Sequence, residues 1–188
     1  MQIGQVADAL YSAPAEAIAE ARPEVRVLES PSRRPVVDSR VQMTEIVLPE
    51  DTNPRGTVFG GRVLALIDKC AAVVAIRHAR TEVLTVSLDS VEFRSSVRVG
   101  DILLLDGRIN AAFRSSMEVE VEVHAEDPAT GRHSLTTRAF VTMVAVDADG
   151  RPTPVPTLET RREEERRRAH DAIDRRRVRL ERRGRPTP

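Results

Sequence analysis

Three features of this 188-residue chain have residue types and spacing that could do chemistry. The first is Asp68, a carboxylate in the middle of an apolar run that begins at Arg62 and ends near Arg80. Burying a lone carboxylate is costly, so Asp68 must be hydrogen-bonded, paired or placed at a cleft. It is either a catalytic carboxylate in a partly dry site or, with Lys69, the edge where a helix meets water. The second is Gly60-Gly61, at the start of that run. Amides at a helix N-terminus, with no side chain in the way, can stabilise an oxyanion; a glycine pair can equally serve a tight turn. The third is Asn53, followed by Pro54. Its amide could bind a carbonyl or position a water, or simply shape a turn.

Other reactive types carry less. Cys70 is the only cysteine, which excludes an internal disulfide and a multi-cysteine metal site, and it reads as core filler. His78, His124, His133 and His170 show no metal-ligand spacing, and His78 reads as a helix-end residue.

The elements that must position these residues follow from periodicity. The run from Arg62 to Arg80 is apolar nearly all round and rich in alanine, which predicts a buried helix. Such a helix must be wrapped by a sheet or covered by a second subunit. Strands are expected at Val41–Leu48, Leu84–Phe93, Ile102–Asn110, Ser116–Ala125 and Leu135–Val146. The change of phase between Leu88 and Val91 hints at a bulge. Between Ser116 and Ala125, valines at 119, 121 and 123 alternate with Glu118, Glu120 and Glu122, whose face is expected to be solvated. One buried helix against about five mostly antiparallel strands is an α+β layer arrangement.

Three zones result. Residues 1–40, with four prolines and weak periodicity, read as a loose N-terminal arm. Residues 41–158 hold the domain. Residues 159–188 carry 12 arginines against seven acids and read as a charged C-terminal helix and tail. Thr160 and Glu163 fit a capping box there, and Glu163–Arg167, Glu164–Arg168 and Asp171–Arg175 fit i,i+4 pairs.

Composition narrows the function. Basic and acidic residues balance at 29 each, and aromatics make up only 3%. Neither suits a protein that stacks and neutralises single-stranded nucleic acid. No apolar run approaches the roughly 20 residues needed to span a bilayer. The expectation is a cytoplasmic protein, with no membrane or nucleic-acid partner.

The ordered set Pro49, Asn53-Pro54, Gly56, Phe59-Gly60-Gly61, Leu64 and Asp68, ending near Arg77-His78, resembles the hotdog-fold acyl-CoA thioesterases of the acyl-CoA hydrolase type. Val91-Glu92-Phe93, Val99-Gly100-Asp101 and Arg114-Ser115-Ser116 resemble later motifs of that family, and the likeness covers roughly residues 41–183. It implies a hotdog fold, a long central helix wrapped by a curved antiparallel sheet. It also implies a homodimer, with hexamers built as three dimers in many members. Asn53 of one subunit would face Asp68 of the other. The implied reaction is acyl-CoA hydrolysis, with Asp68 as general base or nucleophile, Asn53 orienting water or carbonyl, and the Gly60 and Gly61 amides holding the oxyanion. Arg114, Ser115 and Ser116 would line the CoA channel. No metal or organic cofactor is implied. A hydratase would carry an Asp and a His a few residues apart, and no His lies near Asp51 and Asn53 before the helix. A non-catalytic acyl-CoA-binding or sensing hotdog module is the competing reading.

Overall fold

The computed structural model of the chain describes residues 33–183. In chain order it runs β1 (Arg33–Pro35), a 3-10 turn (Val36–Ser39), β2 (Val41–Ile46), a second 3-10 turn (Pro49–Asp51), α1 (Gly60–Ala79), β3 (Glu82–Phe93), β4 (Ile102–Ala112), β5 (Ser116–Glu126), β6 (His133–Val146), β7 (Thr157–Glu159) and α2 (Glu163–Arg183). Most of the N-terminal arm, residues 1–32, and the tail 184–188 lie outside the described residues. The last part of that arm, residues 33–40, carries β1 and the first turn.

The main sheet has the order β2-β4-β5-β6-β3, with every neighbouring pair antiparallel. β1 and β7 form a separate parallel pair. The bulge expected in β3 is present: its register against β6 shifts between Thr85 and Ser87 and again between Asp89 and Glu92.

α1 is helical because its middle is rich in alanine and leucine and free of glycine and proline. Arg80 stops it in the left-handed conformation, φ 58°, and its amide donates to the Ile76 carbonyl at 2.8 Å. The face carrying Val63, Leu66, Ile67, Cys70, Ala71, Val74 and Ala75 is buried on the sheet. There it meets Leu103, Leu105, Ile109, Val119, Val121, Val141 and Met143. Gly107 lets the helix approach closely, since a Cβ there would sit 2.7 Å from the Cys70 sulfur. Cys70 is fully buried, as a core residue should be. His78 is also fully buried, and its Nε2 donates to the Pro156 carbonyl at 2.9 Å.

Within one chain the sheet covers only one side of this helix, the first of the two covers expected for it. A second stripe, Ala65, Asp68, Lys69, Ala72 and Ile76, is only partly covered or exposed. One sheet can cover one side of a helix and no more.

The acidic face of β5, expected to be solvated, is corrected by the structure. Glu118 is 1% exposed and Glu120 4%, because α2 lies across them. Arg175 reaches Glu118 at 2.6 Å and stacks on the Phe140 ring at 3.8 Å. Glu120 meets Arg108, Arg138 and Arg168, and Glu122 pairs with Arg108 and Arg138. Arg179 binds Asp89 of β3, and Arg176 stacks over Phe113 at 4.2 Å. Residues 168, 172, 175, 176 and 179 form one helical stripe, so α2 docks mainly through arginine.

The start of α2 also differs from expectation. It begins at Glu163, and the Glu165 carboxylate accepts the Arg161 and Arg162 amides at 2.7 and 3.1 Å. Glu164–Arg168 forms as expected, at 2.5 Å. Glu163 instead pairs with Arg166 at 2.8 Å, and Arg175 turns from Asp171 to the sheet.

Candidate active site

Asp68 projects from the half-covered side of α1. Its Oδ1 accepts a hydrogen bond from the Thr85 hydroxyl at 2.6 Å. Thr85 sits on β3, the edge strand of the sheet, just where the register slips. The carboxylate therefore has a fixed rotamer and a second oxygen free of this bond. That answers the burial problem with a neutral partner, leaving the charge available for chemistry.

Asn53 lies in the loop before α1 and behaves first as a turn residue. Its Oδ1 accepts the Arg55 amide at 2.9 Å, and its Nδ2 donates to the Thr57 hydroxyl at 2.9 Å. The loop closes through the Asn53 amide to the Thr57 carbonyl, 2.9 Å, and through Gly56 at φ +70°. A primary amide has two N–H donors, so a rigidly held Asn53 keeps one for an outside acceptor. Arg62 pins this loop to the helix start, bonding Glu45 at 2.5 Å and Asp51 at 2.8 Å.

Gly60 and Gly61 are the first residues of α1. The first intrahelical acceptor is the Phe59 carbonyl, which takes the Arg62 and Val63 amides at 3.0 and 3.3 Å. The Gly60 and Gly61 amides precede that ladder. A Cβ on Gly60 would meet the Phe93 ring at 3.3 Å, while Gly61 faces open space. Asp68 lies eight residues on, about 12 Å along the helix axis. Amides and carboxylate of one chain therefore cannot converge on one carbonyl carbon.

Arg114 and Ser115 lie in the β4–β5 turn, and Ser116 opens β5. The Arg114 and Ser115 carbonyls accept the Val155 and Ala145 amides at 3.0 and 2.9 Å. The Arg114 side chain is exposed and makes no ion pair among the described residues. Within one chain the structure brings Asp68 to Thr85, not to Asn53. The 114–116 turn lies at the same end of the sheet as Thr85, with Ser116 of β5 and Leu84 of β3 flanking Val144 of β6. Thr85 is the functional candidate that sequence reasoning missed. The only signal for it was that Asp68 needed a partner, which named no residue.

Residues 55–132 match the family model of the thioesterase superfamily. An uncharacterised acyl-CoA thioester hydrolase of Bacillus subtilis is 40% identical over 138 residues, covering 73% of this chain and 80% of that protein. A hexameric acyl-CoA thioesterase crystal structure is 49% identical with a TM-score of 0.78, covering 81% of this chain and 97% of its own. The acyl-CoA hydrolase of Staphylococcus aureus, solved with butyryl-CoA, CoA and CoA disulfide, is 35% identical with a TM-score of 0.76, covering 80% and 92%. That hydrolase has also been solved with an asparagine, an aspartate and a threonine each replaced by alanine; successive replaced positions are 15 and 17 residues apart. A long helix laid against a curved antiparallel sheet, with one helix side left uncovered, is the hotdog architecture. The chain belongs to the thioesterase superfamily.

Proposed function

We propose that this protein is an acyl-CoA thioesterase, hydrolysing acyl-CoA to free fatty acid and CoA at a site shared by two copies of the chain. The observation that carries this is the trio Asn53, Asp68 and Thr85, whose spacings of 15 and 17 match those of the replaced residues in the Staphylococcus aureus hydrolase. The bond between Thr85 and Asp68 supports the same reading.

In this reading Asp68 activates a water, or attacks the thioester carbon itself, and the thiolate of CoA leaves. Asn53 of the partner subunit orients the water or the carbonyl. The amides at the start of the partner helix hold the developing oxyanion. Arg114, with the Ser115 and Ser116 hydroxyls, grips the CoA portion, guanidinium on phosphate.

The second copy is supported by three observations. The uncovered stripe of α1 needs a cover. The 12 Å gap between amides and carboxylate needs a second helix. β3 is an edge strand with Leu84 50%, Val86 42% and Leu88 37% exposed, ready to pair with another chain. A homodimer, assembled further into a hexamer as in the similar hexameric thioesterase, fits all three. We place the enzyme in the cytoplasm, since a chain with one buried cysteine gains nothing from an oxidising compartment. No helix among the described residues is long and apolar enough to cross a membrane.

The test is thiol release from short, medium and long acyl-CoAs, comparing the native chain with Asp68→Ala. Hydrolysis should fall on the order of 10²–10⁴-fold in the variant, with particle size unchanged by light scattering. Tight acyl-CoA binding without hydrolysis by the native chain would instead identify a sensing module. Single turnover in heavy-oxygen water separates the two roles of Asp68, because only a nucleophile takes label into its own carboxylate.

A further inference from the structure

A pocket of about 200 Å³ opens beside the start of α1, next to Gly60. Val58, Val63, Val97 and the ring of Phe93 give it an apolar lining, to which Thr57, Ser95 and Ser96 add hydroxyl groups. Thr136 and Thr137 of β6 border it without offering it a free donor. The Thr136 hydroxyl donates to the Val123 carbonyl at 2.9 Å, and Thr137 is fully buried. Phe93, Ser95 and Ser96 are exposed while Val63 and Val97 are buried, so the mouth lies on the Phe93–Ser96 side.

The hydroxyls at this mouth are available. Those of Ser95 and Ser96 make no hydrogen bond among the described residues. The Thr57 hydroxyl accepts from Asn53 Nδ2 at 2.9 Å, which leaves its own proton free to donate. Three guanidinium groups adjoin the same residues. Arg94 precedes Ser95, Arg98 follows Val97, and Arg55 lies two residues before Thr57, whose backbone bridges to Arg98. Arg55 and Arg98 are exposed and make no ion pair among the described residues. Arg94 has only a loose surface contact with Glu92, at 3.7 Å. Two nearby acids are engaged otherwise: Asp101 accepts the Arg98 backbone amide at 2.8 Å, and Asp51 binds Arg62 at 2.8 Å.

We infer that this pocket seats the pantetheine arm of CoA. Thr57, Ser95 and Ser96 bond its amides, the Phe93 ring packs along it, and Arg55, Arg94 and Arg98 hold phosphate beyond the mouth. The inference deepens the thioesterase reading and rests on it, since that reading puts the thioester carbonyl at the Gly60 amide, next to the pocket. Two parts of the substrate leave that carbonyl, the acyl chain and the arm. A fatty chain has no partner for three hydroxyls or for a group of arginines. The arm carries amide N–H and C=O groups and ends in phosphate, which a guanidinium binds through its planar fork. At roughly 30 Å³ per water-sized group, the volume holds about six such groups. That is a stretch of the arm and not the whole of CoA, so the phosphates fall outside, where the arginines stand. CoA carries more than one phosphate, so this set and Arg114 are not exclusive.

The experiment measures kcat and KM for butyryl-CoA and for butyryl-pantetheine, which keeps the amides and lacks the phosphates. It uses the full-length native oligomer, a double variant Arg55→Gln with Arg98→Gln, and a double variant Ser95→Ala with Ser96→Ala. Losing two exposed guanidinium–phosphate pairs should raise KM for butyryl-CoA roughly 3- to 30-fold with kcat little changed. The same arginine variant should keep the native kcat/KM for butyryl-pantetheine. The serine variant should raise KM for both esters alike. Added salt should raise KM for butyryl-CoA more steeply in the native protein than in the arginine variant. An arginine variant with native KM for butyryl-CoA, or one impaired alike on both esters, overturns this inference alone, and so does a serine variant with native KM for both. Absence of hydrolysis of both esters by the native protein overturns it together with the thioesterase reading.

Discussion

The Thr85 hydroxyl donates to Asp68 Oδ1 at 2.6 Å, joining the middle of α1 to the edge strand β3. This bond decides which way the carboxylate points. A free aspartate on a helix samples several rotamers, and a general base must hold one of them. Hydrogen bonds to a charged group are worth about 1.5–3 kcal/mol.

Thr85→Val should therefore lower kcat by roughly 10- to 150-fold, with KM for acyl-CoA little changed. Thr85→Ser should restore most of the rate. Steady-state thiol release on the three proteins checks this. A Thr85→Val protein with native kcat would remove Thr85 from the site.

The contact between α2 and the sheet predicts a stability effect far from the reaction. Glu118 is 1% exposed, and Arg175 is its cation. Without Arg175 the carboxylate keeps the Asn110 amide at 3.3 Å among its partners, but no charge of opposite sign. Breaking a buried pair from one side costs about 3–5 kcal/mol. Arg175→Ala should thus lower the urea midpoint sharply. Arg175→Met with Glu118→Gln should recover part of the loss, because it removes the stranded charge. Equal midpoints for native and Arg175→Ala proteins would show that the pair contributes nothing.

Acid should act through Glu122. Burial pushes this carboxyl up, but the Arg108 and Arg138 guanidinium groups outweigh it and hold the pKa below its ordinary 4.5. A folded-state pKa below the unfolded one stabilises the protein at higher pH. The contribution is complete above about pH 4.5 and fades as pH falls through the depressed folded value. The stability gap between native and Glu122→Gln proteins should be constant from pH 7 to 5 and narrow below 4.5. A gap that widens in acid would contradict the assignment.

Cys70 should be chemically silent in the folded protein. Burial, aided by the nearby Asp106 charge, pushes its thiol up to about 11. An aromatic disulfide reagent at neutral pH should therefore titrate no thiol until denaturant is added. Gly107→Ala would press a methyl against this sulfur and against Val74, which would lie 2.7 and 2.8 Å away. That variant should be destabilised by about 1–3 kcal/mol through overpacking, as read by thermal unfolding.

Much of this molecule is written in local pattern. Alanine-rich apolar sequence after Gly60-Gly61 sets α1, and alternation with turn residues sets β3 to β6, including the bulge in β3. These are short-range effects of propensity and side-chain period, which a chain carries wherever it is placed. Asp68 was legible for the same reason: one carboxylate in an apolar run is anomalous without any structure. Its partner was not, since a threonine 17 residues later on a strand looks like any other strand threonine. The acid face of β5 was legible as a face but not as a buried one. Period two tells which side chains share a side. It does not tell that a helix more than 40 residues away will return and lay arginines on them. Long-range docking decides burial, and burial turned two apparently solvated glutamates, Glu118 and Glu120, into the seat of α2.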